Sequence, residues 1–297
     1  MNQYCKLSSN LHFLRQLNQK QIFNVTTPPH FNLKFKEQDY IVNGEIDVQK
    51  YALPHTLWTK DQVKKCELEN RKGKKLGDKF AFKFAKIFTK NIDILCGYQR
   101  IFPWQSKEIN EKIWLNRLIY IENATGIPGF VGAMWRHLSS LRNMKTQETG
   151  WIHSLLKESE NERIHLLIFL KTYRPGFIYR TGLLLSHFWY VFLFANMYLI
   201  APRITHRIVG HIEEEAIINY TKLLDEIQKE NSPVSHWKNK KAHKLARDYW
   251  NLDENATLED IILYVRKDKQ QHIQVNHDLA DDYKYKGYPD PKSNKVY

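Results

Sequence analysis

The sequence predicts an all-α protein organised as a four-helix bundle, and three observations carry that prediction. Apolar residues recur at helical spacing in several long runs. Glu162 and His165 stand three apart in one of these runs, so a helix carries both to one side. Glu122, Glu213 and His272 occupy three further runs, and a metal pair in a bundle core takes one Glu from each of two helices and a Glu-x-x-His from each of two others.

Composition narrows the setting. The chain has 297 residues, enough for one large domain. Its aromatic content is 13%, with 8 Trp and 16 Tyr, more than a soluble core needs and suited to a membrane interface. A formal charge of +13 admits nucleic acid or an anionic lipid surface as partner. No zinc-finger spacing, RNP-like motif or helix-turn-helix signature is present, so no nucleic-acid partner is expected. Cys5, Cys66 and Cys96 are far apart and odd in number, which implies no disulfide framework. Residues 1–36 carry Lys and Arg but no Asp or Glu, as an organelle-targeting segment or a basic surface arm would.

Taken in order, residues 1–77 read as an extended N-terminal arm, broken by Pro28, Pro29 and Pro54 and closed by the basic run Arg71–Lys75. That run is a solvated cluster or an anchor to acidic lipid headgroups. From Asp78, Phe80, Phe84, Ile87, Phe88, Ile94 and Leu95 recur near helical spacing opposite Lys79, Lys83, Lys86 and Lys90. This amphipathic helix packs on a core or lies in a membrane interface. A second helix starts near Lys107, carries Glu122, pauses at Gly126 and Pro128 and resumes to Arg142; a third spans 151–172 with Glu162 and His165. Residues 181–202 hold no Asp, Glu, Lys or Arg, long enough to cross a bilayer, though their aromatics and His187 also fit a helix with one face in lipid. A fifth helix, 206–228, carries Glu213 and Tyr220, with Glu214 and Glu215 pointing elsewhere. After a polar linker, 229–242, a sixth runs from 258 to 277 with His272. The helical domain is placed at 78–280 and a polar tail at 281–297. His137, His206 and His211 read as structural, since none has a Glu at the ligand spacing that the bundle geometry requires.

With these residues in hand, the chain resembles the alternative oxidases, di-iron ubiquinol oxidases of the mitochondrial inner membrane. The likeness runs through Trp114-Leu115-Asn116-Arg117 to Glu122, then Gly126-Ile127-Pro128-Gly129, Asn161-Glu162-Arg163-Ile164-His165-Leu166, Glu213-Glu214-Glu215-Ala216 to Tyr220, Asp248-Tyr249-Trp250 and Val275-Asn276-His277. The resemblance implies a ferritin-like four-helix bundle with two added membrane-interface helices, monotopic on the matrix side, forming a homodimer. It places Glu122, Glu162, His165, Glu213 and His272 on iron-ligand positions, Tyr220 on a redox-active tyrosine and Arg117 in the quinol pocket. Read from the residues alone, Tyr220 is equally a core tyrosine bonded to a carboxylate, and Arg117 equally an ion-pair partner of a core glutamate.

One departure decides the functional expectation. The family's last motif reads Arg-Ala-Asp-Glu-Ala-x-His; here Arg266-Lys267-Asp268-Lys269-Gln270-Gln271-His272 puts a lysine where an iron-bridging glutamate belongs. An ammonium has three donors and no acceptor, so it does not ligate iron. Two unit charges about 4 Å apart interact by roughly 4 kcal/mol at an effective dielectric of 20. The expectation is a catalytically degenerate relative without a resident cofactor, serving as a structural or accessory subunit of a respiratory assembly, with Lys269 pairing the buried glutamates. The alternative is an active ubiquinol oxidase with two iron ions. Inner-membrane lipid, a protein partner or second copy, and ubiquinone are the candidate partners.

Overall fold

The computed structural model describes residues 41–42, 45–46, 52–66, 75–99, 108–144 and 149–281. Most of the N-terminal arm, including Arg71–Lys74 of the basic run, and the tail beyond 281 lie outside the described residues. The chain divides into a unit of residues 1–51 and a unit of residues 52–297. In the first, the described residues are two antiparallel two-residue strands, β1 (Ile41–Val42) and β2 (Glu45–Ile46), with Ile41 opposite Ile46.

The second unit is helical. It contains α1 (Lys60–Lys64), α2 (Leu76–Leu95), α3 (Glu111–Asn143), α4 (Thr149–Thr172), α5 (Phe177–Ile200), α6 (Pro202–Gln228), α7 (Lys244–Trp250) and α8 (Leu258–Asp281). The bundle is made of two tight pairs, α3 with α4 and α6 with α8, while α2 packs on α6 and α5 on α3. This is the expected four-helix arrangement with two outer helices. The first pair is close because its contact surface is glycine: a Cβ at Gly129 would fall 2.6 Å from the Leu155 carbonyl oxygen. That packing also accounts for a difference from the sequence expectation. The helix carrying Glu122 does not pause at Pro128 but runs unbroken from 111 to 143. Proline's missing donor and ring clash cost helix stability locally, and burial of Ile127, Pro128, Gly129 and Val131, with Gly129 set against α4, outweighs it. Asn110 caps the start by accepting from the Ile113 N–H at 3.0 Å.

On α2 the buried stripe is Ala81, Ala85, Phe88 and Ile92, whereas Phe80, Ile87 and Leu95 point outward beside the exposed Lys79, Lys83, Lys86 and Lys90. Small residues let α2 settle close to α6. Helix α5 is apolar and long enough to cross a membrane, yet its buried residues are Tyr190, Phe194 and Tyr198 only. Phe88 of α2 rests on Tyr190 and Phe194, 5.0 and 5.8 Å between ring centroids, so the two outer helices meet.

The expected linker after α6 is more structured than its polarity suggests. A 3-10 turn, Ser235–Lys238, buries Trp237, whose indole N–H donates to Glu111 at 2.8 Å. Residues 52–66 form a strap against α7 and α8. His55 stacks on Tyr249 with centroids 3.7 Å apart, Thr56 donates to Gln271, and the Trp58 indole donates to Asp268 at 2.5 Å.

Candidate functional site

Four helices each contribute to one buried cluster between the pairs. Glu122 comes from α3, Glu162 and His165 from α4, Glu213 and Tyr220 from α6, and Lys269 and His272 from α8, and every one of them is buried. Helical spacing explains the convergence, since residues three, four or seven apart share a face. All the singled-out residues except Arg117 therefore meet.

Lys269 stands at the centre. Its ammonium donates to Glu162 Oε2 and to the Thr125 hydroxyl at 2.9 Å, and lies 3.3 Å from Glu122 Oε2 and 3.4 Å from Glu213 Oε2. The pairing expected from the sequence is thus present with all three glutamates. Burial disfavours the charged amine, but the three carboxylates outweigh it and raise the Lys269 pKa above its ordinary value. Glu162 answers in the opposite sense: against the cost of burial, Lys269 and His272 hold it well below the usual carboxylate range. Burial drives Glu213 well above that range, with Lys269 only partly offsetting it.

The Tyr220 hydroxyl donates to Glu122 Oε1 at 2.5 Å, and burial together with that carboxylate pushes its pKa well up. His165 bridges Glu122 and Asp268, each at 3.1 Å. Burial works against a charged imidazole, yet the hydrogen bonds to Asp268 and Glu122 win and raise its pKa to about 9. Asp268 is the hub behind it, accepting also from Trp58, Asn161 at 3.0 Å and Trp250 at 3.1 Å.

Two ligand-capable groups of three arise within the cluster: Glu122, Glu162 and His165, and Glu158, Glu213 and His272. Glu158 is a residue that the spacing argument missed. It lies one turn before Glu162 on the same face, accepts from Asn276 at 2.8 and 2.9 Å, and burial raises its pKa to about 7. A cleft of about 40 Å³, lined among others by His55, His153, Lys157, Glu158 and His272, reaches this side of the cluster.

Arg117 sits elsewhere. It makes a two-pronged bond to Asp93 at 2.7 and 3.0 Å, donates to Asn219 at 2.8 Å and lies 3.5 Å over the Tyr98 ring. Its ion-pair partner is an aspartate of α2, not a core glutamate, and its Nη1 is buried with no hydrogen bond among the described residues. A further buried network was also missed. Glu214 points away from the cluster as expected, but it is buried and not solvated: its carboxylate is held by His211 at 2.8 Å and His277 at 3.0 Å. Despite burial, those two imidazoles lower its pKa to about 2. His206, expected to be structural, is buried and bonds Asn276 at 3.2 Å, whereas His137 lies exposed on α3.

Comparison with known proteins agrees with this arrangement. The alternative oxidase family profile matches residues 58–281. The mitochondrial alternative oxidase of Emericella nidulans is 37% identical over 237 residues, covering 78% of this chain and 66% of that protein. That of Aspergillus niger is 38% identical over 235 residues, 77% of this chain and 66% of the relative, and that of Ajellomyces capsulatus 34% over 282 residues, 92% and 75%. The match thus spans about two thirds of the length of the first two relatives. The chain belongs to the alternative oxidase family.

Proposed function

We propose that this chain is a catalytically degenerate alternative-oxidase-like protein, a structural or accessory subunit of a mitochondrial inner-membrane assembly on its matrix side. The observation that carries the reading is Lys269. Its ammonium occupies the space among Glu122, Glu162 and Glu213, where a pair of irons would need a carboxylate, and while it stands there the donor set does not fit two iron ions. The same charge stabilises the three buried carboxylates that a bundle without irons would otherwise strand. Compartment is supported by the mitochondrial names of the relatives, and lipid contact by the outward aromatic and aliphatic residues of α2 and α5. A second copy or another subunit has a surface to meet in the exposed stripe Phe130, Met134, Leu138 and Leu141 on α3. The N-terminal arm, 1–77, and the tail, 281–297, serve the helical domain, 78–280, as contact elements toward a partner.

The second reading, an active ubiquinol:oxygen oxidoreductase with two irons on Glu122, Glu162, His165, Glu213 and His272, is favoured by one observation. Tyr220 is held on Glu122 at 2.5 Å, as a redox-active tyrosine beside a metal centre would be. In that reading Arg117, with its free Nη1, holds the quinol oxygen. The two separate on one purified preparation, assayed for bound iron and for cyanide-insensitive ubiquinol oxidation. No oxidation by the natural chain, with iron binding gained by Lys269→Glu, is the expected result. Two irons and turnover in the natural chain would overturn the accessory reading.

A further inference from the structure

Thr125 follows Glu122 by three residues on α3, on the same face, and is fully buried in the wall of the cluster. Gly126 beside it lets α3 approach α4, since a Cβ there would stand 3.3 Å from the Glu162 Cβ. The Thr125 hydroxyl meets three groups at this junction. It lies 3.0 Å from the Ile121 carbonyl oxygen, 2.5 Å from Glu162 Oε2 and 2.9 Å from Lys269 Nζ. An ammonium only donates, so the contact with Lys269 uses the hydroxyl oxygen as acceptor and leaves its single proton for Glu162 or Ile121.

Lys269 has three protons to place. One goes to Thr125 and one to Glu162 Oε2, two acceptors that touch each other. Glu122 and Glu213 also turn an Oε2 toward the amine, at 3.3 and 3.4 Å, but neither forms an aligned hydrogen bond with it among the described residues. The amine is thus held on the α3–α4 side, where the hydroxyl stands. The counterpart is visible on α6: both oxygens of Glu213 are buried without a hydrogen bond among the described residues, an arrangement that costs stability.

We propose that Thr125 is the positioning residue for the Lys269 ammonium: its hydroxyl fixes the amine on Glu162 and leaves Glu213 as the carboxylate that the charge reaches only through space. The proposal rests on Lys269 acting as the internal counter-charge, as in the accessory reading, and adds to it that a lysine at 269 supplies the charge while a hydroxyl on another helix sets its place. The competing role for Thr125 is packing by its methyl group in the close α3–α4 seam. Two substitutions separate the roles. Thr125→Val keeps the branched shape and removes the hydroxyl; Thr125→Ser keeps the hydroxyl and removes the methyl.

The full chain, with its lysine side chains labelled with ¹⁵N, is measured by NMR for the exchange of Nζ protons with water. Protons of exposed lysines exchange fast and fade, whereas those of a buried, hydrogen-bonded ammonium persist; Lys269→Met identifies the signal by removing it. The natural chain is expected to show this persistent signal. Thr125→Val should speed its exchange about tenfold or more and lower the folding equilibrium constant by a similar factor, as loss of a hydrogen bond to a charged group does. Thr125→Ser should leave both close to the natural chain. A natural chain without a persistent Nζ signal, exchange unchanged in Thr125→Val, or Thr125→Ser as damaging as Thr125→Val would overturn the proposal. Should Thr125→Val fail to fold, Thr125→Ser decides by itself: retention of the signal supports the hydroxyl role and its loss refutes it. Failure of the accessory reading shows separately, as bound iron and ubiquinol oxidation by the natural chain.

Discussion

Removing the Lys269 amine leaves Glu122, Glu162 and Glu213 buried around an empty centre. Breaking a buried pair from one side costs about 3–5 kcal/mol, and Lys269→Met is expected to lose that much in denaturant unfolding at neutral pH. The sign with pH follows from the carboxyls. Burial already raises Glu122 and Glu213 above their ordinary value, so their charged forms destabilise the native state, and the deficit of the variant should shrink as acid protonates them. His206 behaves oppositely. Burial lowers its pKa to about 3, so between that value and the ordinary 6.5 the unfolded chain binds the proton. Its stabilising contribution is whole above 6.5 and declines by about 1.4 kcal/mol per pH unit as pH falls through that window; His206→Gln should flatten this limb of a stability–pH curve. At this scale the ligand-type residues are legible because a Glu and a His three apart leave a spacing to find. Glu158 is not, since among Glu160, Glu162 and Lys157 it reads as one more charge on a solvated face. Asp268 escapes because Trp58, Asn161 and His165 are far from it in sequence, and Glu214 because it stands in a run of three glutamates that reads as a solvated face.

Elements depend on how closely backbones approach. A Cβ at Gly129 meets a backbone oxygen, which cannot swing aside as a side chain would. Gly129→Ala should therefore separate α3 from α4 and lower stability by about 1–3 kcal/mol, as overpacking does, with a fall in melting temperature as the readout. The strap offers a gentler test. Trp58→Phe deletes the donor to Asp268 but keeps the ring, and limited proteolysis should then cut within residues 52–66 faster while the bundle resists. Helix identity and order are legible from periodicity, whereas continuity through Pro128 is not. A proline is a local signal, and the glycine contact that overrides it lies on another helix. The inward face of α2 misleads similarly: phenylalanines dominate the pattern, but alanines make the close contact and leave Phe80 and Ile87 outside.

For the whole molecule, the outward face of α2 and α5 should set where it resides. Flotation with vesicles containing anionic phospholipid is expected to retain the natural chain, more weakly at high salt because Lys79, Lys83, Lys86 and Lys90 contribute through screened charge. Phe188→Glu combined with Trp189→Glu should abolish flotation while leaving helix content unchanged; undiminished flotation would mean that this face is not the lipid contact. The strap has a last consequence, for the order in which the molecule forms. Trp58 and Asp268 are 210 residues apart, and Lys269 sits next to Asp268 in the final helix. A chain made from its N-terminus therefore carries three core glutamates well before the amine that balances them exists. Collapse of α3, α4 and α6 should stay unfavourable until α8 arrives, which makes the C-terminal helix the closing step of folding and a ribosome-stalled chain ending before residue 258 protease-sensitive.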